Sequence, residues 1–248
     1  MSYIFGKTAK TYDKMGFDTG VEAIGFLELQ LNRVKLKVGS LIDVACGTGT
    51  FALLCASRRP WNVSGLDASK YMLEIAREKA GRSKVLVHFI HADLRSFQSR
   101  RTWDVATCWS GSLNYLLTLG ALQAALGNVA RMLRSQGLFV FDVNTELEYK
   151  RQDGMFHFTH LEDFVEARNH HVDPKTGLFY THITSFVRLP KGNYERLEEH
   201  QKERPYNVKQ VQQALEKTGF KERTFFADFA GNPLGEKPRQ FVCVAVRN

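Results

Sequence analysis

Between Leu41 and Val143 the chain alternates short apolar runs with longer stretches whose apolar residues recur at helical spacing. The short runs are Leu41 to Ala45, Asn62 to Leu66, Val85 to His91, Trp103 to Cys108 and Leu138 to Val143. The longer stretches are Phe51 to Ser57, Ser69 to Ala80 and Leu119 to Leu133. Period and length together predict strands for the first set and helices for the second. Strand–helix alternation of this kind predicts a parallel sheet covered by helices on both faces. The run Leu138-Phe139-Val140-Phe141 has no polar position, as a strand buried on both faces should.

The alternation ends after Val143. From about residue 146 to 204 the chain is aromatic, histidine-rich and strand-like, with turn signals at Asp173-Pro174-Lys175-Thr176-Gly177 and Leu189-Pro190-Lys191-Gly192-Asn193. An antiparallel meander is the expectation. Helical periodicity returns at Val208, Val211 and Leu215 and stops at Gly219, and two strands follow, Phe220 to Phe226 and Gln240 to Val246. The expected organisation is one α/β domain made of residues 1–145 and 205–248, with 146–204 inserted as an antiparallel lid.

Composition adds limits. A chain of 248 residues with 44% hydrophobic and 24% charged residues is an ordinary globular length and balance. Its start does not read as a signal peptide, and no apolar run approaches the roughly 20 residues of a membrane-spanning helix. Four widely spaced cysteines without a CxxC pair fit a reducing, cytoplasmic setting better than a zinc site or a disulfide framework. The net charge of +8 raises RNA as a partner, yet the basic residues are scattered, so a solvated basic surface is preferred.

The segment Leu41-Ile42-Asp43-Val44-Ala45-Cys46-Gly47-Thr48-Gly49-Thr50 carries the most chemistry. An apolar strand gives way to a loop of small residues and then a helix. Ala45, Gly47 and Gly49 let backbone approach a ligand closely. In open α/β sheets ligands bind at the carboxyl ends of the strands. The second strand ends at Asp67, 18 residues after Gly49, where a carboxylate can accept both hydroxyls of a ribose, or cap the next helix together with Ser69. The third ends at Asp93, placed to hydrogen-bond an adenine amine.

At these residues the chain resembles the class I S-adenosylmethionine-dependent methyltransferases. The loop from Asp43 to Thr50, Asp67-Ala68-Ser69, Met72-Leu73 and Ala92-Asp93 follow that superfamily's motifs in order and spacing. Phe5-Gly6-Lys7-Thr8-Ala9-Lys10-Thr11-Tyr12-Asp13 looks like the N-terminal helix that covers the cofactor. Ser112-Leu113-Asn114-Tyr115-Leu116, Phe141-Asp142-Val143-Asn144-Thr145, Glu199-His200 and Arg204-Pro205-Tyr206 resemble small stand-alone bacterial methyltransferases of mostly unassigned substrate. The resemblance implies a Rossmann-like, mostly parallel seven-stranded sheet and S-adenosyl-L-methionine as cofactor. It implies a cofactor site formed by Tyr12, Ala45, Gly47, Gly49, Asp67, Ala68, Met72, Asp93, Leu94, Trp109 and Ser110. Substrate would lie against Tyr115, Asn144, Arg204 and Tyr206, with His200 as the candidate proton acceptor. Two positions depart from the pattern: Ala45 replaces the usual first glycine, and Gly111 stands where relatives often carry an acid.

Absent motifs narrow the substrate. The Asn/Asp-Pro-Pro-Tyr/Phe element of base-amine methyltransferases is replaced by Thr107-Cys108-Trp109-Ser110-Gly111, and no proline precedes Cys108 as a cytosine-C5 nucleophile requires. Six of the eight histidines lie between His157 and His200, but His157 and His160 stand three apart in an extended run, so they point to opposite faces and no metal site is expected. Methyl transfer from a sulfonium needs alignment and exclusion of water, and a base only where the nucleophile must lose a proton. A small polar metabolite is the first expectation for the acceptor and RNA the second. Gly47-Thr48-Gly49-Thr50-Phe51-Ala52 also satisfies the nicotinamide-binding expression, so an oxidoreductase is one rival class; a non-catalytic cofactor-binding regulator is another.

Overall fold

The computed structural model describes residues 5, 6, 8–16 and 20–248. Lys7 of the cofactor-covering segment lies outside them. Seven strands form one sheet: β1 (Ser40–Val44), β2 (Asn62–Asp67), β3 (His88–His91), β4 (Trp103–Cys108), β5 (Leu133–Asn144), β10 (Phe220–Phe226) and β11 (Gln240–Arg247). Their spatial order is β10-β11-β5-β4-β1-β2-β3. β1 to β5 pair in parallel, and β11 runs antiparallel to both β5 and β10. This is the Rossmann-like, mostly parallel seven-stranded sheet expected from the alternation. The order reverses beside β1, which puts the β1 and β4 loops at the switch point where such sheets bind ligands.

Two apolar layers sandwich the sheet. On one face α5 (Leu119–Met132) and α7 (Val208–Thr218) bury Leu122, Leu126, Val129, Val211 and Leu215 against Phe139, Phe141 and Phe241. On the other, α2 (Gly20–Arg33) and α3 (Thr50–Arg58) bury Ile24, Leu27, Phe51 and Cys55 against Leu41, Val105 and Val140. Capping fixes the helix starts. Ser69 accepts the Met72 N–H at the head of α4 (Lys70–Ser83), and Asn207 with Gln210 forms a reciprocal capping box on α7. Gly219 ends α7 in the left-handed conformation, φ +100°.

A second, four-stranded antiparallel sheet contains β6 (Phe156–Leu161), β7 (Phe164–Val172), β8 (Phe179–Arg188) and β9 (Tyr194–Glu203), in that order. It is the meander anticipated between the two turn signals. Its approach differs from expectation: residues 146–152 form a helix, α6 (Glu146–Gln152), capped by Thr145, whose hydroxyl accepts the Leu147 N–H. Helix α2 lies ahead of the strand–helix alternation that begins at Leu41 and was not among the expected elements. The third strand is shorter than the apolar run from Val85, since Leu86 is fully exposed at the sheet edge.

The return from β9 to the large sheet is pinned by Tyr206. Its ring is buried, and its hydroxyl donates to the carbonyls of Leu116 and Thr118. The Asn114 amide donates to the carbonyls of Asn144 and Arg204 at 2.9 and 2.7 Å, completing the joint. Tyr206→Phe should therefore lower stability by about 1–3 kcal/mol, the cost of leaving a buried carbonyl unpaired. Denaturant unfolding monitored by far-UV circular dichroism will read this as a lower midpoint at unchanged slope.

Candidate active site

The loop between β1 and α3 holds three residues with positive φ: Ala45 (55°), Gly47 (53°) and Gly49 (75°). Ala45 keeps the left-handed turn that a glycine serves at less strain. A Cβ on Gly49 would stand 2.9 Å from the Phe89 ring and 3.0 Å from the Ala76 Cβ, so packing alone demands glycine. A Cβ on Gly47 would meet nothing within 4 Å, because that side of the loop faces open space. Asp67 fixes the loop from the end of β2. Its carboxylate accepts the N–H of Gly47 at 2.8 Å and of Ser69 at 2.7 Å. Burial raises its pKa, partly offset by these bonds. Asp67 thus caps the turn into α4 and braces the loop at once.

Beside this loop lies a cavity of about 230 Å³, bordered by Tyr12, Asp43, Ala45, Gly47, Trp109 and Ser110. Asp43 is buried, accepts the Thr107 hydroxyl at 2.8 Å, and is pushed up to about 7 by desolvation. The Trp109 indole packs edge-on against Phe51 and Phe229, and its buried Nε1 has no hydrogen-bond partner among the described residues. Ser110 and Gly111 both take positive φ, 59° and 64°. A Cβ on Gly111 would come 2.6 Å from Asn144 Nδ2, so a larger residue here would require that amide to move.

A strap formed by residues 5, 6 and 8–15 closes over the loop. The carboxylate of Glu199, buried on β9, accepts the N–H groups of Phe5 and Gly6 at 2.9 and 3.0 Å and the hydroxyl of Thr8. Ser69 donates its hydroxyl to the Phe5 carbonyl at 2.6 Å. At the other end Asp13 accepts from Thr48 Oγ1 at 2.6 Å and from Lys79 Nζ at 2.8 Å. Tyr12, carried between them, is raised to about 12 by burial and so stays protonated.

A larger cavity, about 1200 Å³, opens between the two sheets and shares Tyr12, Ser110 and Ser112 with the smaller one. Tyr115 and Asn144 line it as expected, together with Asp142, Tyr149, His170 and Glu203. Glu203 accepts the Tyr149 hydroxyl at 2.7 Å and is pushed up to about 7 by desolvation. His170 bonds Thr181 at 3.0 Å and is pulled down to about 4, chiefly by burial.

Three expected residues are corrected. His200 lies on the exposed outer face of β9, stacked on His182 at 4.3 Å, and not in the cavity. The reason is strand alternation: the buried neighbours Glu199 and Gln201 face inward, so His200 faces out. Arg204 donates to the Leu117 carbonyl at 3.2 Å and lies over the Tyr206 ring, and Tyr206 is the buried pin described above. Both build the joint and do not line the larger cavity. Asp67, Ala68, Met72, Asp93 and Leu94 lie along the ends of β2 and β3 and border neither cavity. Met72 is buried, Leu94 packs on the core, and Asp93 is lowered by its bonds with Arg95. Among the described residues no group of three or more His, Cys, Asp or Glu could hold a metal ion, and no helix is long and apolar enough to cross a membrane. Asp142, Tyr149, Gln201 and Glu203 received no role from the sequence; the inward parity of β9 was the available signal for the last two.

Residues 41–137 match the family described as "Methyltransferase domain". Over 213 residues the chain is 29% identical to "Putative methyltransferase GWCH70_2453" of Geobacillus sp. (strain WCH70), covering 83% of each. It is 33% identical over 141 residues, 55% of this chain and 53% of the relative, to the dTDP-3-amino-3,6-dideoxy-alpha-D-glucopyranose N,N-dimethyltransferase of Streptomyces fradiae. In fold it is similar to an S-adenosylmethionine-dependent methyltransferase from Clostridium acetobutylicum ATCC 824, with TM-score 0.86, 20% identity and 98% of both chains covered. Over residues 41–137 in sequence, and across the chain in fold, it is similar to the class I S-adenosylmethionine-dependent methyltransferases. It is an enzyme, and S-adenosyl-L-methionine is its cofactor.

The two loop glycines should respond differently to alanine. Gly49→Ala combines strain with a clash and should cost about 1–3 kcal/mol of stability. Gly47→Ala should fold with only the left-handed penalty of roughly 1–2 kcal/mol, yet lose cofactor affinity. Thermal unfolding and calorimetry on both variants will separate the effects. A second expectation concerns Asp43. Its folded pKa lies above the unfolded value, so its contribution to stability is greatest at acid pH and falls as pH rises from the unfolded pKa to about 7. The stability of the wild type relative to Asp43→Asn should therefore decline over that window and level off above it.

Proposed function

We propose that the enzyme transfers a methyl group to a small polar acceptor seated in the larger cavity. The observation that carries this reading is the shared wall of Tyr12, Ser110 and Ser112, which joins a narrow cavity at the Gly-rich loop to a wider one under the second sheet. The residues suit the cofactor: the open side of Gly47 admits a ligand against the backbone, and the unpartnered Trp109 Nε1 offers a buried donor beside it. On this reading the loop Ala45–Gly49 with Tyr12, Trp109 and Ser110 takes the methionine end. Asp67 holds the ribose, and Asp93, with Ala68, Met72 and Leu94, the adenine. The cofactor supplies an electrophilic methyl on a sulfonium centre. The protein's part is to hold the acceptor in line, keep the strap closed and exclude water.

The inserted segment 146–204 is the acceptor lid. It contributes Tyr149, Gln201 and Glu203 to the wall, and its Glu199 holds the strap in place. Relatives named for N,N-dimethylation of dTDP-amino-deoxysugars support an acceptor of that size and polarity. A cavity of about 1200 Å³ is large enough to hold a sugar of that kind.

Calorimetry tests the cofactor placement. S-adenosylmethionine and S-adenosylhomocysteine should bind, NAD and NADP should not, and Asp67→Ala should weaken binding by about 1.5–3 kcal/mol while leaving the protein folded. Methyl transfer from labelled S-adenosylmethionine to dTDP-amino-deoxysugars, compared with transfer to tRNA fragments, tests the acceptor. Turnover on RNA alone would overturn the small-molecule reading.

A further inference from the structure

Asp142, on β5, has a divided environment. Its side chain is only 6% exposed and lines the larger cavity. Oδ2 accepts the Gly111 N–H at 2.8 Å, in the same turn that carries Ser110 and Ser112 on the wall shared with the cofactor cavity. Oδ1 is buried and has no hydrogen-bond partner among the described residues. A buried carboxylate oxygen without a donor is costly unless a ligand supplies one. Its position beside the shared wall is where the reacting atom of an acceptor has to sit.

The charges around it select the kind of donor. Two arginines reach the cavity, but Arg168 is paired with Glu166 and Arg151 with Glu148, whose carboxylates do not line it. Arg168 also acts on Glu203 through its charge, whereas no salt bridge among the described residues reaches Asp142. Asp228 is engaged by Ala230 and Asn232 in its own turn. The other titratable neighbours do not compensate. Burial raises Cys108 beneath on β4, and Tyr12, Tyr115 and Tyr149 across the cavity, so all stay protonated and neutral, and His170 is neutral near pH 7. The wall is therefore electronegative once its carboxyls ionise, and it favours a cationic or N–H-bearing group. Desolvation pushes Asp142 up to about 7, within the range where a carboxyl can exchange a proton at neutral pH.

We propose that Asp142 is the acceptor-binding carboxylate, whose Oδ1 takes a hydrogen bond from an amine of the acceptor and receives the proton that the amine must shed. This rests on the small-molecule reading above. In the reaction the nitrogen lone pair forms the new bond to the methyl carbon, the carbon–sulfur bond breaks with its electron pair left on sulfur, and the N–H proton passes to Asp142.

The test is a carboxyl titration on protein labelled with ¹³C at aspartate side chains and saturated with S-adenosylhomocysteine. The Asp142 signal is identified by its loss in Asp142→Asn or, should that variant not fold, by its displacement in Asp142→Glu. Methylammonium, at fixed ionic strength, should lower the Asp142 midpoint by half a pH unit or more. Tetramethylammonium, which has the charge but no N–H, should leave it in place. A midpoint indifferent to methylammonium, or moved equally by both cations, overturns the proposal. Failure of S-adenosylhomocysteine to bind at all would instead strike the reading it rests on, and the same titration on the free protein still decides whether Asp142 answers to an N–H donor.

Discussion

The buried carboxylate of Glu199 ties together parts of the molecule that lie far apart in sequence. It belongs to the small antiparallel sheet, yet its hydrogen bonds go to the N-terminal strap, and the strap in turn rests on the Gly-rich loop through Asp13. A carboxylate taken out of water is tolerable only when its oxygens are occupied. Two backbone N–H groups and a hydroxyl meet that demand, and Gln201 adds its amide at 2.7 Å. Together with the bonds of Asp13 to Thr48 and Lys79, these contacts hold the strap that carries Tyr12, which lines both cavities.

The same physical demand recurs at Glu166, almost wholly buried on β7 and satisfied by Arg168 and Ser185, with Thr11 of the strap at 3.5 Å. The small sheet is thus tied to the N-terminal strap by polar bonds. The large sheet is held in the opposite way, by continuous apolar layers on both faces. Hydrogen bonds reward one geometry, whereas apolar contacts tolerate several.

How far the sequence could be read follows from this difference. The parallel sheet was legible because burial on both faces leaves unbroken apolar runs such as Leu138 to Phe141. The loop at Ala45 to Gly49 was legible because backbone near a ligand restricts residue type. Helix α6 was missed because a short capped helix leaves little periodicity within a strand-rich stretch. The misplacement of His200 has a different origin. Histidine suggests chemistry by type, but in a strand the face is decided by parity, and parity needs one anchored neighbour. Glu199 is that anchor, and its burial is visible only once the strap is in place. Asp142 escaped because an acid within an apolar strand has no distinguishing spacing; what marks it is an unpaired oxygen, a property of packing.

Strand β9 carries opposite chemistry on its two sides: Glu199, Gln201 and Glu203 inward, His200 and Lys202 outward. For such a strand, the loss or gain of one residue is not a local event. Downstream of the change every side chain exchanges sides, and the acidic wall would be replaced by histidine and lysine. The inward face of β9 can therefore be altered by point substitution but not by a change of length. Length variation is left to the turn at Leu189–Asn193, which lies outside the paired register.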